Sequence, residues 1–142
     1  MANYCCATRT NYFRVKDPES FKSFMYTVYG SEEPVDVWEE TDRSGNKVFG
    51  FGCYGGIAGV CGDEEEYEES CYDDFIEGLQ RYVADDDAII ILESGNEKLR
   101  YLVGQAEIIT SKEYRFVNIA DIAKLRAAEL LNNPNWSTKL SY

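Results

Sequence analysis

The sequence predicts a single α+β domain with a mostly antiparallel sheet. Short runs of β-forming residues follow one another through tight turns, which is typical of hairpins. Three other segments have apolar residues at helical spacing or are rich in helix formers. With 142 residues, 44% of them hydrophobic, the chain can bury one core. We expect the order β-α-β-β-α-β-β-β-α over residues 1–142, with the helices on one face of the sheet and an irregular tail from residue 132 or so.

The first half of the chain predicts a strand, a helix and a hairpin. Asp17 followed by Pro18 is a typical helix start, since Asp caps the helix and Pro suits its first turn. Apolar residues then recur at helical spacing until Gly30, where we expect the helix to end. The predicted elements are a strand at 11–15, a helix at 18–29, hairpin strands at 35–40 and 47–55, and a loop at 57–62.

The second half predicts an acidic helix, three strands and a last helix. Tyr67, Cys71, Phe75 and Leu79 are four residues apart, which places them on one stripe of a helix. Asp63 is expected to cap that helix. The predicted elements are this helix from residue 63 to 83, strands at 87–94, 98–111 and 114–119, and a helix at 120–131.

Charge restricts the choice of partners. The chain carries 26 acidic and 14 basic residues, a formal net charge of −12. This balance disfavours direct binding to nucleic acid or to anionic membranes, and it favours a basic partner. The sequence shows no signal peptide and no apolar run long enough to span a membrane. It has five cysteines, an odd number, which is compatible with reduced thiols. We therefore expect a cytoplasmic protein.

The densest charge lies between Asp63 and Asp74, where twelve residues include eight carboxylates and no Lys or Arg. On a helix this run would be roughly 18 Å long, with about one negative charge per 2 Å. Duplex DNA carries about one per 1.7 Å of its axis. The predicted partner-binding residues are Asp63, Glu64, Glu65, Glu68, Glu69, Tyr72 and Asp73, together with Asp85 and Asp86 from a second acidic cluster.

Two other interpretations of this charge remain open. A solvated helix face that promotes solubility would have the same composition. A divalent-cation site is the third possibility, although the run lacks the spaced Asp/Asn residues around a glycine of calcium loops. The cluster at 85–87 is equally compatible with a turn between a helix and a strand.

The sequence offers little support for an enzyme or for a cofactor. It contains no His, which removes the commonest general base and metal ligand. The cysteines form no C-x-x-C pair. The stretch from Gly50 to Gly55 matches G-x-G-x-x-G, but it lies on a hairpin strand, whereas a dinucleotide site needs a helix after it. We expect no enzyme activity, cofactor or metal.

Three segments carry a resemblance: "RTNYFRVKD" near the start, "GNEKLRYLVGQAEIITS" in the second half and "NNPNW" near the end. Together they resemble small acidic proteins of phages and mobile elements of Gram-positive bacteria. The resemblance implies an inhibitor of host defence of the anti-CRISPR or anti-restriction type, several of which look like mimics of nucleic-acid charge.

The leading hypothesis is therefore a non-enzymatic inhibitor that places its acidic residues in the basic nucleic-acid channel of a defence nuclease, such as a CRISPR effector. The alternative is a small-molecule-binding protein or sponge, with a pocket between sheet and helices or at a subunit interface.

Overall fold

The computed structural model describes residues 4–61 and 70–140. It confirms the α+β class and the mostly antiparallel sheet. The described strands are β1 (Cys5–Thr10), β2 (Val28–Gly30), β3 (Asp36–Thr41), β4 (Lys47–Tyr54), β5 (Ile57–Cys61), β6 (Ser70–Cys71), β7 (Ile89–Glu97), β8 (Tyr101–Ile109) and β9 (Tyr114–Asn118). The described helices are α1 (Pro18–Met25), α2 (Tyr72–Tyr82) and α3 (Ile119–Leu130).

The described strands form two antiparallel sheets. The larger one has six strands in the order β3-β4-β1-β7-β8-β9, and the smaller one has three in the order β2-β5-β6. The predicted hairpins β3–β4, β7–β8 and β8–β9 all form. The predicted order lacked β2, β5 and β6, because these short strands leave weaker patterns in the sequence than the hairpins do.

The hydrophobic core lies between the larger sheet and helices α1 and α2. Alternate residues of the strands point to this inner face, and they meet the apolar stripes of both helices. Phe21 packs edge-on against Phe13, with ring centroids 5.6 Å apart, and Phe75 packs against Phe51 at 6.0 Å. The fully buried side chains are Phe13, Phe21, Phe49, Phe51, Phe75, Leu79, Val83, Ile89 and Ile109.

The first strand does not lie at 11–15, as the sequence predicts. β1 is Cys5–Thr10, inserted between β4 and β7. Its inward residues are Thr8 and Thr10, which are 5% and 2% exposed. Each has a partner: the Thr8 hydroxyl donates to the carbonyl of Gly55, and the Thr10 hydroxyl accepts from the backbone N–H of Phe51. Because the buried residues of β1 are polar, the hydrophobic pattern of the sequence does not reveal this central strand.

Helix α1 is shorter than predicted. Asp17 caps it as expected, accepting from the backbone N–H of Ser20. However, it ends at Met25, because the chain turns at Thr27 and continues as β2. Val28 belongs to β2, where it is buried opposite Val60 of β5. Its position at helical spacing therefore does not place it in α1.

The predicted loop at 57–62 is also wrong over most of its length. Residues 57–61 form β5, the central strand of the smaller sheet. Gly59 has a φ of +136°, which is open to glycine but strained for other residues. Its missing side chain lets the strand lie close to β6, since a Cβ there would be 2.6 Å from the carbonyl oxygen of Cys71.

Helix α2 begins at Tyr72, so the predicted continuous helix from Asp63 is wrong over residues 70 and 71. Ser70 and Cys71 pair with β5, and the Cys71 thiol caps α2 by accepting from the backbone N–H of Asp74. The expected cap, Asp63, and the rest of residues 62–69 lie outside the described residues. Phe75 and Leu79 are buried, which confirms the predicted stripe within α2.

Helix α3 begins one residue before its predicted start and is capped by Asn118. It departs from the expectation that the helices share one face. Gly104 points away from the face that holds Ile109, and a Cβ on Gly104 would lie 3.0 Å from the Ile119 side chain. The start of α3 therefore borders the outer face of the sheet. The chain after α3 has no regular structure up to residue 140, in agreement with the predicted tail. None of the described helices combines the length and apolarity needed to cross a membrane.

The close approach at Gly59 generates a stability prediction. Gly59→Ala should lower the free energy of unfolding by about 3 kcal/mol or more, because backbone strain adds to the contact with Cys71. Gly45→Ala is the matched control: Gly45 also has a positive φ, of +86°, but a Cβ there would have no neighbour within 4 Å, so a loss of about 1 kcal/mol is expected. Urea unfolding followed by circular dichroism measures both. Equal losses would show that the β5–β6 approach is not tight.

Candidate acidic interface

The structure describes four of the nine predicted partner-binding residues. Asp63, Glu64, Glu65, Glu68 and Glu69 lie outside the described residues. The two ends of that segment are nevertheless fixed, since Cys61 of β5 pairs with Ser70 of β6. We refer to residues 62–69 as the acidic segment. Its flanking residue Ser70 leads through Cys71 into the N-terminal end of α2.

Helix α2 adds further carboxylates at this end of the fold. Asp73, Asp74 and Glu77 are all exposed. No cation among the described residues lies within salt-bridge distance of them. Asp73 and Asp74 occupy the first turn, where the helix dipole favours negative charge. The helix is held in place by buried Phe75, so these charges are displayed from a rigid support.

The second predicted cluster is separate and has its own cations. Asp85 lies 3.0 Å from the Lys16 ammonium, and Asp86 lies 2.9 Å from the Arg14 guanidinium. The Lys16 contact lowers the pKa of Asp85. Both acids follow the C-terminal end of α2, so roughly 15 Å of helix separates them from Asp73. The structure therefore does not bring the two clusters together.

Tyr72 is not a freely exposed aromatic contact. It is half-buried, and its hydroxyl donates to a carboxylate oxygen of Glu107 on β8. Tyr114 of β9 donates to the other oxygen of the same carboxylate at 3.1 Å. Burial raises the pKa of Tyr72, and the hydrogen bond to Glu107 raises it further. The pKa of Tyr114 is raised to about 12. Burial is the largest cause, the charge and the hydrogen bond of Glu107 come next, and the charge of Asp73 has a smaller effect.

A neighbouring carboxylate, Glu93 of β7, has the same type of partner. It accepts a 3.0 Å hydrogen bond from the hydroxyl of Tyr4. Burial raises the pKa of Tyr4, and Glu93 adds to this effect. Glu93 and Glu107 lie diagonally across the β7–β8 pair on the inner face, a spacing of about 7–8 Å, and both line the same cavity. No described cation lies within salt-bridge distance of either carboxylate.

These carboxylates line a small polar cavity of about 160 Å³ between the sheet and the start of α2. Its lining residues are Thr8, Ile57, Tyr72, Ile91, Glu93, Gln105 and Glu107. Sequence reasoning missed Glu93 and Glu107 as site residues. Strict alternation along β7 could have found Glu93, since it places this residue on the same face as Ile89 and Ile91.

The glycine motif at residues 50–55 serves the sheet. Gly50 and Gly52 are in β4 and open no helix, since β5 follows. A Cβ on Gly52 would be 2.5 Å from the carbonyl oxygen of Thr8 and 3.0 Å from the Trp38 ring. The glycines thus allow close approach of β1 and of an aromatic ring.

Two further observations concern metals and thiols. Within residues 4–61 and 70–140, no group of three or more acids or cysteines has an arrangement that could hold a metal ion. Burial raises the pKa of the Cys6 and Cys53 thiols, which keeps them protonated and weakly nucleophilic.

Comparisons with known proteins give no match, whether against protein-family models, curated proteins or solved structures.

The tyrosine–carboxylate contacts generate a pH prediction. Because the pKa values of Tyr72 and Tyr114 are raised in the folded state, both phenols stay protonated above about pH 10, where they ionise in the unfolded chain. Unfolding at such a pH therefore releases protons. The stability contributed by these phenols is complete below about pH 10 and declines as the pH rises toward 12. Glu107→Gln should flatten this decline, because the carboxylate that opposes ionisation is gone. Urea midpoints between about pH 9 and pH 12 measure it.

Tyr26→Phe is the control for this prediction. It removes a phenol that is 91% exposed, so the alkaline decline should match that of the unmodified protein. An unchanged decline in Glu107→Gln would show that Glu107 does not govern the two phenols.

Proposed function

We propose that the protein is a non-enzymatic inhibitor of a host defence nuclease, of the anti-CRISPR type, and that it occupies the basic nucleic-acid-binding channel of that nuclease in the host cytoplasm. The observation that carries this proposal is the run of carboxylates at the N-terminal end of α2. In the sequence, the acidic segment shortly before α2 has six acids and no base, and within α2 Asp73, Asp74 and Glu77 are exposed carboxylates without a described cation.

Magnitudes favour a docking role over a purely solvating one. Like charges four residues apart on a helix, such as Asp73 and Glu77, destabilise it by a few tenths of a kcal/mol. A surface selected for stability alone would place Lys at such positions, as the fold does elsewhere: Lys22 and Lys47 both contact Glu39, and Lys47 does so at 2.8 Å. The concentration of acids instead suits a channel built to attract phosphates, and the attraction speeds encounter.

The proposed interface has a centre and a periphery. The acidic segment, Asp73 and the adjoining α2 acids form its centre. Asp85 and Asp86 are peripheral, because a partner would have to displace Arg14 and Lys16 to reach them. Tyr72 acts as a support that holds Glu107 and the start of α2 together.

The carboxylate chemistry supports a binding role over catalysis. A general base needs a free oxygen near its substrate. Both oxygens of Glu107 already accept from phenols, and Glu93 accepts from Tyr4.

A second candidate function is small-molecule binding, and the polar cavity favours it. Its volume of about 160 Å³ is well below the roughly 300–1,000 Å³ of drug-sized pockets, so it would accept only a ligand of a few atoms. Nucleotide-like signalling molecules are too large for it. A thermal-shift screen with small amines and amides tests this candidate: a rise in melting temperature that Glu107→Gln abolishes would support it, and no rise would contradict it.

The inhibitor proposal is tested with a charge-neutralised variant. Glu65→Gln, Glu68→Gln, Glu69→Gln and Asp73→Asn together change the net charge from −12 to −8, through the loss of four acids. We expect inhibition of target-DNA cleavage by a guide-loaded CRISPR effector nuclease from a Gram-positive bacterium to weaken about 100-fold or more, since several charge contacts to the channel are lost. Inhibition by the unmodified protein should also weaken between about 50 and 300 mM NaCl.

The matched control removes the same number of acids elsewhere: Glu19→Gln, Glu40→Gln, Glu97→Gln and Asp121→Asn. Asp121 is, like Asp73, an acid in the first turn of a helix, so the effect on the helix dipole is comparable. The control should inhibit like the unmodified protein. Equal inhibition by both variants would show that total charge matters and the proposed surface does not. No inhibition of any tested effector would remove the support for the nuclease as partner.

A further inference from the structure

Helices α1 and α2 pack on the inner face of the larger sheet, so they do not cover its outer face. We define the open face as the residues of β1, β3, β4, β7 and β8 that alternate away from the core. It includes Trp38, Tyr54, Leu92 and Leu102, which are 36%, 71%, 51% and 67% exposed. Because these strands are neighbours in the sheet, the four side chains belong to one continuous surface.

The centre of this face is nearly free of charge in a highly charged chain. Charged residues make up 28% of the sequence. Across β1, β4, β7 and β8, however, the open-face positions include a single charged residue, Arg9. Its guanidinium lies 5.4 Å from the centre of the Trp38 ring, so it is held against an aromatic surface. The inner face of the same strands carries Glu93 and Glu107, so the acids are on the opposite side.

A groove of about 410 Å³ runs across the open face. Its floor is formed where Gly52 of β4 has no side chain, and Trp38, Tyr54 and Leu92 form part of its walls. The ring of Trp38 lies over Gly50 and Gly52, since Cβ atoms there would be 3.4 and 3.0 Å from it. The groove is therefore a shaped, mostly apolar recess that a protruding side chain could fill, with Arg9 and Asp36 as its charged lining residues.

We propose that the open face binds a second copy of this chain in a symmetric dimer. Charge selects this occupant. A basic nucleic-acid-binding partner is drawn to the acidic end of α2. An apolar surface with an almost uncharged centre is best matched by a second apolar surface. The open face of a second copy of the chain provides such a surface. In a two-fold arrangement Leu92 and Leu102 of each copy meet the corresponding face of the other.

The size of the face is sufficient for a dimer. The five strands of the open face, about 4.8 Å apart and about 20 Å long, present roughly 500 Å² of flat area. Two such faces give roughly 1,000 Å² before side-chain relief is added, which is the lower bound for a specific interface. Asp36 and Glu40 of the edge strand β3 border the apolar centre, as the polar rim of an interface does. Exposed apolar patches of several hundred Å² are themselves typical of interaction sites.

Sedimentation equilibrium between about 1 and 100 µM, with a thiol reductant to exclude crosslinking through exposed Cys5, tests the proposal. The unmodified protein should be dimeric in the upper part of this range. Leu92→Asp should raise the dimer dissociation constant about 100-fold or more, because it buries a charge in the interface. Leu99→Asp is the matched control. Leu99 is 75% exposed but lies in the turn between β7 and β8, so the dissociation constant of this variant should equal that of the unmodified protein.

Fluorescence provides an independent readout. In a Trp136→Phe background, the emission of Trp38 should shift to shorter wavelength as the protein is concentrated, since the ring leaves water. If circular dichroism shows that Leu92→Asp does not fold, Leu102→Asp takes its place. A protein that is monomeric up to about 100 µM, or a dimer that both aspartate variants leave intact, would overturn the proposal.

Discussion

The insertion of β1 between β4 and β7 is the constraint on which the rest of the structure depends. It joins the hairpin β3–β4 to the meander β7–β8–β9, which have no other connection within the larger sheet. The buried hydroxyls of Thr8 and Thr10 complete this joint, because each has a backbone partner in β4 or directly after it. An apolar residue of similar size in place of Thr10 would leave the N–H of Phe51 without its hydrogen bond, at a cost of about 1–3 kcal/mol.

The same joint separates the two faces of the sheet chemically. Thr8 lines the polar cavity on the inner face, next to Glu93, while Arg9, one residue later, lies under Trp38 on the outer face. Period-two alternation therefore sends Glu93 and Glu107 to the side that carries α2 and leaves the centre of the other side almost uncharged. The two proposals use these two sides, so neither surface has to serve both partners.

The sequence predicted the elements whose patterns are local and strong. The cap at Asp17, the hairpins and the start of α3 are of this kind, since a few neighbouring residues determine each one. It did not predict β1, because its buried residues are threonines satisfied by distant backbone groups, nor β5, because Gly59 is usually a sign of a loop. In the site, composition pointed to the acidic segment, whereas the pairing of Tyr72 with Glu107 depends on a contact between residues 35 positions apart. No local pattern encodes such a contact.

Salt separates the two proposed interactions, because their physical causes are opposite. Two copies at −12 each carry −24, so dimerisation works against a net repulsion. Screening of that repulsion and stronger hydrophobic burial both favour the dimer as salt increases. Binding of the acidic end of α2 to a basic channel weakens over the same range, since it depends on attraction. A single salt series therefore contains both answers: association that grows with salt reports the open face, and association that fades with salt reports the carboxylates at the start of α2.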